Sequence, residues 1–95
     1  MIDLHAIPVP NNDFRMRQVG DEIVFLAESG NEVLSLNAVG AFIWEQIDGN
    51  HAVRDILDII CHEYEVDEDT ARADLDAFIT QLAEHDLVTL QTPGD

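Results

Sequence analysis

Apolar and polar positions change rhythm along this chain. From Phe14 to Gln18, Ile23 to Glu28 and Glu32 to Leu36 they run in short, partly alternating stretches separated by turn signals at Gly20-Asp21 and Gly30-Asn31. This is the period of half-buried strands, and it predicts a three-stranded antiparallel meander. From Asn37 onward the spacing becomes helical. Asn37 offers a side-chain oxygen to cap a helix starting at Ala38, with Val39, Phe42, Ile43 and Ile47 on its apolar face, Trp44 on the flank and Gly49 as its stop. A second helix, about Ala52 to Tyr64, is expected to bury Val53, Ile56, Leu57, Ile60 and Tyr64 and to expose Asp55, Asp58 and His62. Asp67 is the expected cap of a third, with Glu68 and Asp69 in its first turn, where the helix dipole favours carboxylates. Ala71, Leu75, Phe78, Ile79 and Leu82 form its apolar arc. Leu87 to Leu90 reads as a short terminal strand or a cover for the base of the core.

A meander followed by three helices on one small core is an α+β arrangement of the winged helix-turn-helix kind. The expected organisation is an irregular arm over residues 1–13, one domain over 14–90 and a polar tail from Gln91 to Asp95. Glu32 to Leu36 directly precedes the first helix, so that strand is the candidate free edge of the sheet. A free edge presents unpaired N–H and C=O groups to any extended peptide.

Composition narrows the function. Ninety-five residues, 46% of them hydrophobic, suffice for one core and are too few for two. No run approaches the roughly 18–20 apolar residues that cross a bilayer, and the first ten lack the features of a signal peptide; the cytoplasm is the expected location. Lys is absent, the only cations of fixed charge on side chains are Arg15, Arg17, Arg54 and Arg72, and the net charge is −16. Such a surface repels phosphate backbones, which argues against nucleic acid as a partner even on a fold that often binds it. Cys61 is the only cysteine, so no internal disulfide or thiolate cluster forms, and it reads as a buried thiol.

Candidate chemistry is sparse. His51, Asp55, Asp58 and His62 share one face of the second helix, a spacing that suits a divalent metal but that a solvated face opposite the apolar stripe explains as well. Ser29 and Ser35 have no Gly-x-Ser-x-Gly elbow and no His partner recognisable by spacing. No glycine-rich phosphate loop occurs. We expect no catalytic residue, metal or cofactor.

Between Val33 and Gly49 the chain reads VLSLNAVGAFIWEQIDG, and Val53, Ile56, Asp74, Phe78, Leu82 and Leu87-Val88 follow. The Leu36-Asn37 pair, the small Gly40-Ala41, Ile43-Trp44 and the Asp48-Gly49 stop make this stretch resemble the PqqD-like family. The resemblance, over about residues 14–90, implies a RiPP recognition element: a non-catalytic chaperone that binds the leader segment of a ribosomally made precursor peptide and presents it to a modifying enzyme, such as a radical S-adenosylmethionine enzyme or a leader peptidase. It implies that the leader adds as a strand along Glu32, Val33, Leu34, Ser35 and Leu36 and lies beside the third helix at Leu75, Asp76, Ile79 and Leu82. Ala52 stands where relatives usually carry a capping Ser or Thr, so the cap comes from Asn50 or His51 or is weak. The Leu-Cys-Asp-Gly ending typical of pyrroloquinoline quinone pathway members is missing between Ala41 and Gly49, which favours a relative serving another peptide. The alternative is a winged-helix oligomerisation or regulatory module without a peptide substrate, its free edge pairing with a second copy as a homodimer.

Overall fold

The structure is a computed structural model that describes residues 2–11 and 14–92. Met1, Asn12 and Asp13, in the expected arm, and Pro93 to Asp95, in the expected tail, lie outside the described residues. The architecture is α+β. Strands β1 (Ile7–Pro10), β2 (Arg15–Val19), β3 (Glu22–Leu26) and β4 (Glu32–Leu36) are followed by helices α1 (Ala38–Glu45), α2 (Val53–Tyr64) and α3 (Glu68–Glu84) and by β5 (Val88–Gln91). The expected meander forms an antiparallel sheet in the order β2-β3-β4. Gly20, with φ 62°, supplies the left-handed residue that its first tight turn requires.

The opening stretch departs from the expected irregular arm. Residues 7–10 pair antiparallel with β5, Pro8 opposite Leu90 and Val9 opposite Thr89. A two-stranded ribbon tolerates two prolines because one side of each strand needs no N–H donor. Asn11 fastens the end of β1: its backbone N–H donates to Leu87 O at 2.9 Å and its side-chain amide donates to Asp86 O at 2.7 Å. The chain just before β1 does a second job. The Ala6 and Leu4 carbonyls accept the Val53 and Arg54 N–H groups at 2.8 and 2.9 Å, satisfying first-turn donors of α2 that Ala52 has no side-chain oxygen to take. The expected cap from Asn50 or His51 is therefore not the one used: the Asn50 N–H and the His51 ring both turn to Asp48, at 2.9 and 3.0 Å. The Asp48 carboxyl is held below its ordinary pKa first by that backbone N–H and also by His51.

Asn37 caps α1 as expected, its Oδ1 accepting the Gly40 N–H at 2.9 Å. Asp67 occupies the N-cap position of α3, but its side chain makes no cap hydrogen bond. The other end of α3 closes in a Schellman motif. Asp86, with φ 58°, turns the chain so that the Leu87 N–H reaches Leu82 O at 2.9 Å and the Asp86 N–H reaches Ala83 O at 3.0 Å.

The core differs from the expectation mainly in the rotation of α1. Trp44, expected on the flank, is buried, whereas Val39 is 45% exposed. Gly40 explains the rotation: a Cβ there would stand 3.3 Å from both Leu36 Cβ and Phe78 Cε1, so α1 turns its smallest residue towards β4 and α3. That brings Trp44 into edge-to-face contact with Phe25 at 5.0 Å and Phe14 at 5.6 Å between ring centroids. Tyr64, also expected inside, is partly exposed and packs its ring against Phe42.

Candidate peptide-binding groove

The three-stranded sheet has two edges, and they differ in chemistry. All five residues of β2 are exposed, with Arg15 and Arg17 projecting from it. Charged side chains on an edge strand discourage pairing with another chain. β4 hydrogen-bonds to β3 on one side only, and among the described residues no strand lies along its other side. Its inward positions are Leu34, opposite Phe25, and the buried Leu36, opposite Ile23, while Glu32, Val33 and Ser35 are exposed.

Beside the end of β4 runs an open cavity of about 290 Å³, bounded by Ser35, Leu36 and Asn37 on one side, by Gly40 at its floor and by Phe78 and Gln81 of α3 on the other. It combines an apolar floor with a rim of polar groups, and its lining holds no cation. An extended chain laid along β4 would alternate its side chains between this cavity and solvent.

The expected α3 residues fall elsewhere. Leu75, Ile79 and Leu82 are buried core residues that do not line this cavity, whereas Leu36, also buried, does. Asp76 faces the other flank of α3, lining a separate open depression with Ile2, Thr80 and Glu84. The helical wall of the groove is Asp74, Phe78 and Gln81, each one position before a core residue and so about 100° round the helix. The centre of an amphipathic stripe points at the core, and only its margin can meet a ligand. Phe78 stands in the apolar arc, and that signal was readable; Gly40, Asp74 and Gln81 carry none by themselves.

No catalytic cluster comes together at the groove. Ser35 lines the cavity with no histidine among the lining residues, and Ser29 Oγ accepts the Asn31 N–H within the β3–β4 turn. Among the described residues no three His, Cys, Asp or Glu side chains converge as metal ligands, and His51 pairs with Asp48 instead. Cys61 is partly buried, and its thiol is pushed above its ordinary pKa first by desolvation and then by Glu68, Asp58 and Asp67. A thiol whose pKa is raised presents less thiolate at a given pH and reacts more slowly as a nucleophile. Iodoacetamide at pH 8 should therefore alkylate the folded protein roughly severalfold more slowly than free cysteine, with the unfolded chain reacting at the ordinary rate; equal rates in both states would contradict this.

Residues 22–88, spanning the meander's second strand to the start of β5, match the family described as coenzyme PQQ synthesis protein D. The chain belongs to the PqqD family. Among solved structures it is similar to "TbiB1 in Complex with the TbiA(beta) Leader Peptide", with a TM-score of 0.72 and 32% identity over 92% of this chain and 99% of that one. No curated protein matches this chain. The PqqD match includes β4, α1 and α3, the elements that bound the groove.

Proposed function

We propose that this PqqD-family protein is a non-catalytic chaperone that binds the leader segment of a ribosomally synthesised precursor peptide by strand addition to β4. The observation that carries this reading is the free outer edge of β4 beside a cavity walled by Phe78. The likeness to TbiB1, whose structure holds a leader peptide, supports it.

Magnitudes say what such a site needs. Four or five backbone hydrogen bonds, at a net ~0.5–1.5 kcal/mol each, contribute roughly 2–7 kcal/mol before the cost of ordering the peptide. Micromolar affinity requires about 8 kcal/mol, so side chains entering the groove must supply the remainder, at about 1.5–3 kcal/mol for each large apolar one buried. Backbone pairing fixes register; the groove selects the peptide.

In this reading the bound leader is tethered near a separate modifying enzyme, a radical S-adenosylmethionine enzyme or a leader peptidase, raising its effective concentration there. The β2–β3–β4 meander and three helices act as a winged-helix scaffold for the groove. With net charge −16, nucleic acid is a poor partner for that scaffold. Among the described residues no helix is long and apolar enough to cross a membrane, and a cytoplasmic chaperone meets its precursor where ribosomes make it. The missing Leu-Cys-Asp-Gly ending favours a peptide other than the quinone precursor.

The test is calorimetry with the synthetic leader of the precursor peptide encoded beside this chain's gene. One-to-one binding near the micromolar range is expected, and absence of binding contradicts the proposal. Sedimentation addresses the homodimer alternative, in which β4 pairs with its own copy: a dimer that the leader dissociates keeps both readings, and one indifferent to it favours the oligomerisation module.

Gly40→Ala probes the groove. The added Cβ gains about 0.5–1 kcal/mol of helix propensity, while it stands 3.3 Å from both Phe78 Cε1 and Leu36 Cβ, pushing the half-buried ring into the groove and pressing α1 against β4. We expect the strain against Leu36 to offset the propensity gain and lower the melting temperature by a few degrees, with leader affinity weakened about tenfold, or ~1.4 kcal/mol. Unchanged affinity would place the peptide elsewhere.

A further inference from the structure

We propose that the leader is also read by a second, apolar pocket beyond the end of β4, which takes a large aliphatic or aromatic side chain, with Asp74 beside it taking a lysine or arginine; this rests on the strand-addition reading and adds the class of leader recognised. The pocket, about 210 Å³, lies where α1, the end of α2 and α3 meet, and its walls are Val39, Ile43, Ile60, Tyr64, Val66 and Leu75. It adjoins the strand-addition groove, sharing Val39, Ile43 and Asp74 with it, while the rest of its lining belongs to this pocket and not to the groove. Three of its walls are large apolar residues left partly in water: Val39 at 45% exposure, Tyr64 at 39% and Val66 at 39%. Three such residues converging on one concavity mark a surface shaped for an apolar ligand group.

The pocket is preformed. The Tyr64 ring is held edge-on by Phe42 with centroids 5.5 Å apart. Val66 reaches the pocket because Glu65, at φ 52°, adopts the left-handed conformation that non-glycine residues rarely take, and this turns the chain at the end of α2.

Its occupant follows from continuity and charge. Val39, Ile43 and Asp74 line both this pocket and the groove beside β4, so the two are adjacent. In an extended peptide, side chains two residues apart share a face about 7 Å from each other. A leader that fills the groove with one apolar side chain therefore presents the next same-face side chain to this pocket as it passes the Leu36 end of β4. Asp74 is the one charged residue lining either cavity, and neither lining holds a cation to neutralise it. In a chain of net charge −16, the complementary ligand group is cationic.

The experiment pans a display library of random dodecapeptides on the intact protein, on Val66→Glu and on Asp74→Arg, with Val66→Gln as the milder variant should the first unfold; Val66 lines this pocket and not the groove. On the parent protein we expect peptides with two large apolar residues at i and i+2 and a neighbouring Lys or Arg. Val66→Glu should bind those peptides about tenfold more weakly and select for only one apolar position, and Asp74→Arg should lose the basic preference. If the parent selects peptides with a single apolar anchor, or binds no better than Val66→Glu and Val66→Gln, the second pocket is overturned while strand addition stands. If the parent selects no peptide at all, strand addition itself fails and this inference with it.

Discussion

Phe25→Ala should cost this domain about 3–5 kcal/mol of folding free energy, the usual loss for removing a buried aromatic ring. Phe25 is fully buried and meets Phe14 and Trp44 edge-to-face, with centroids 5.2 and 5.0 Å away. It ties the middle strand of the sheet to α1, so its loss leaves a cavity that neither strand nor helix can collapse to fill. Domains of this kind hold only about 5–15 kcal/mol in total, and the variant should be marginally folded. Urea titration followed by the fluorescence of Trp44, the single tryptophan, gives both readouts: a lower midpoint and a red-shifted native emission. Because Leu34 of β4 stands opposite Phe25, leader affinity should fall with stability. A loss below about 1 kcal/mol would mean that the aromatic cluster is not the centre of the core.

A proline scan of β4 should separate binding from folding. N–H groups along a strand point alternately to its two neighbours, so Leu34→Pro and Ser35→Pro delete groups on opposite sides of β4. One removes a hydrogen bond to β3; the other removes only a donor on the free edge, a place where proline is tolerated. The edge-side variant should keep its melting temperature within a few degrees. It should lose about 1–3 kcal/mol of leader binding, or roughly 5- to 150-fold in affinity. The ladder-side variant should lose stability first. If both prolines leave leader binding intact, strand addition at β4 is wrong.

Particular residues show why some of this was legible in the chain and some was not. The alternation around Ile23 and Phe25, the glycine turns and the Asn37 cap are local signals, and local signals specify the meander and the start of α1. The candidate free edge was legible for the same reason: β4 runs straight into a helix, and among the described residues no strand lies along its outer side. The β1–β5 ribbon was not, because Pro8 and Leu90 are partners only through the folded core. Nor was the capping of α2 by the Leu4 and Ala6 carbonyls, since backbone groups carry no sequence signature. In α1 the period alone cannot tell Val39 from Trp44; the close approach at Gly40 decides it. In α3 the pattern identified the buried stripe, and the groove lies at its margin, on Phe78. Periodicity names the face that leaves water, whereas a binding surface is the boundary between that face and solvent.

Amide hydrogen exchange, read residue by residue with and without the leader, reports directly on the outer edge of β4. Strong slowing is expected at the outward-facing amides of Val33 to Leu36, with no change along β2, the other edge of the same sheet. Protection at Arg15 to Val19, or none at β4 while the leader is bound, would contradict strand addition at β4.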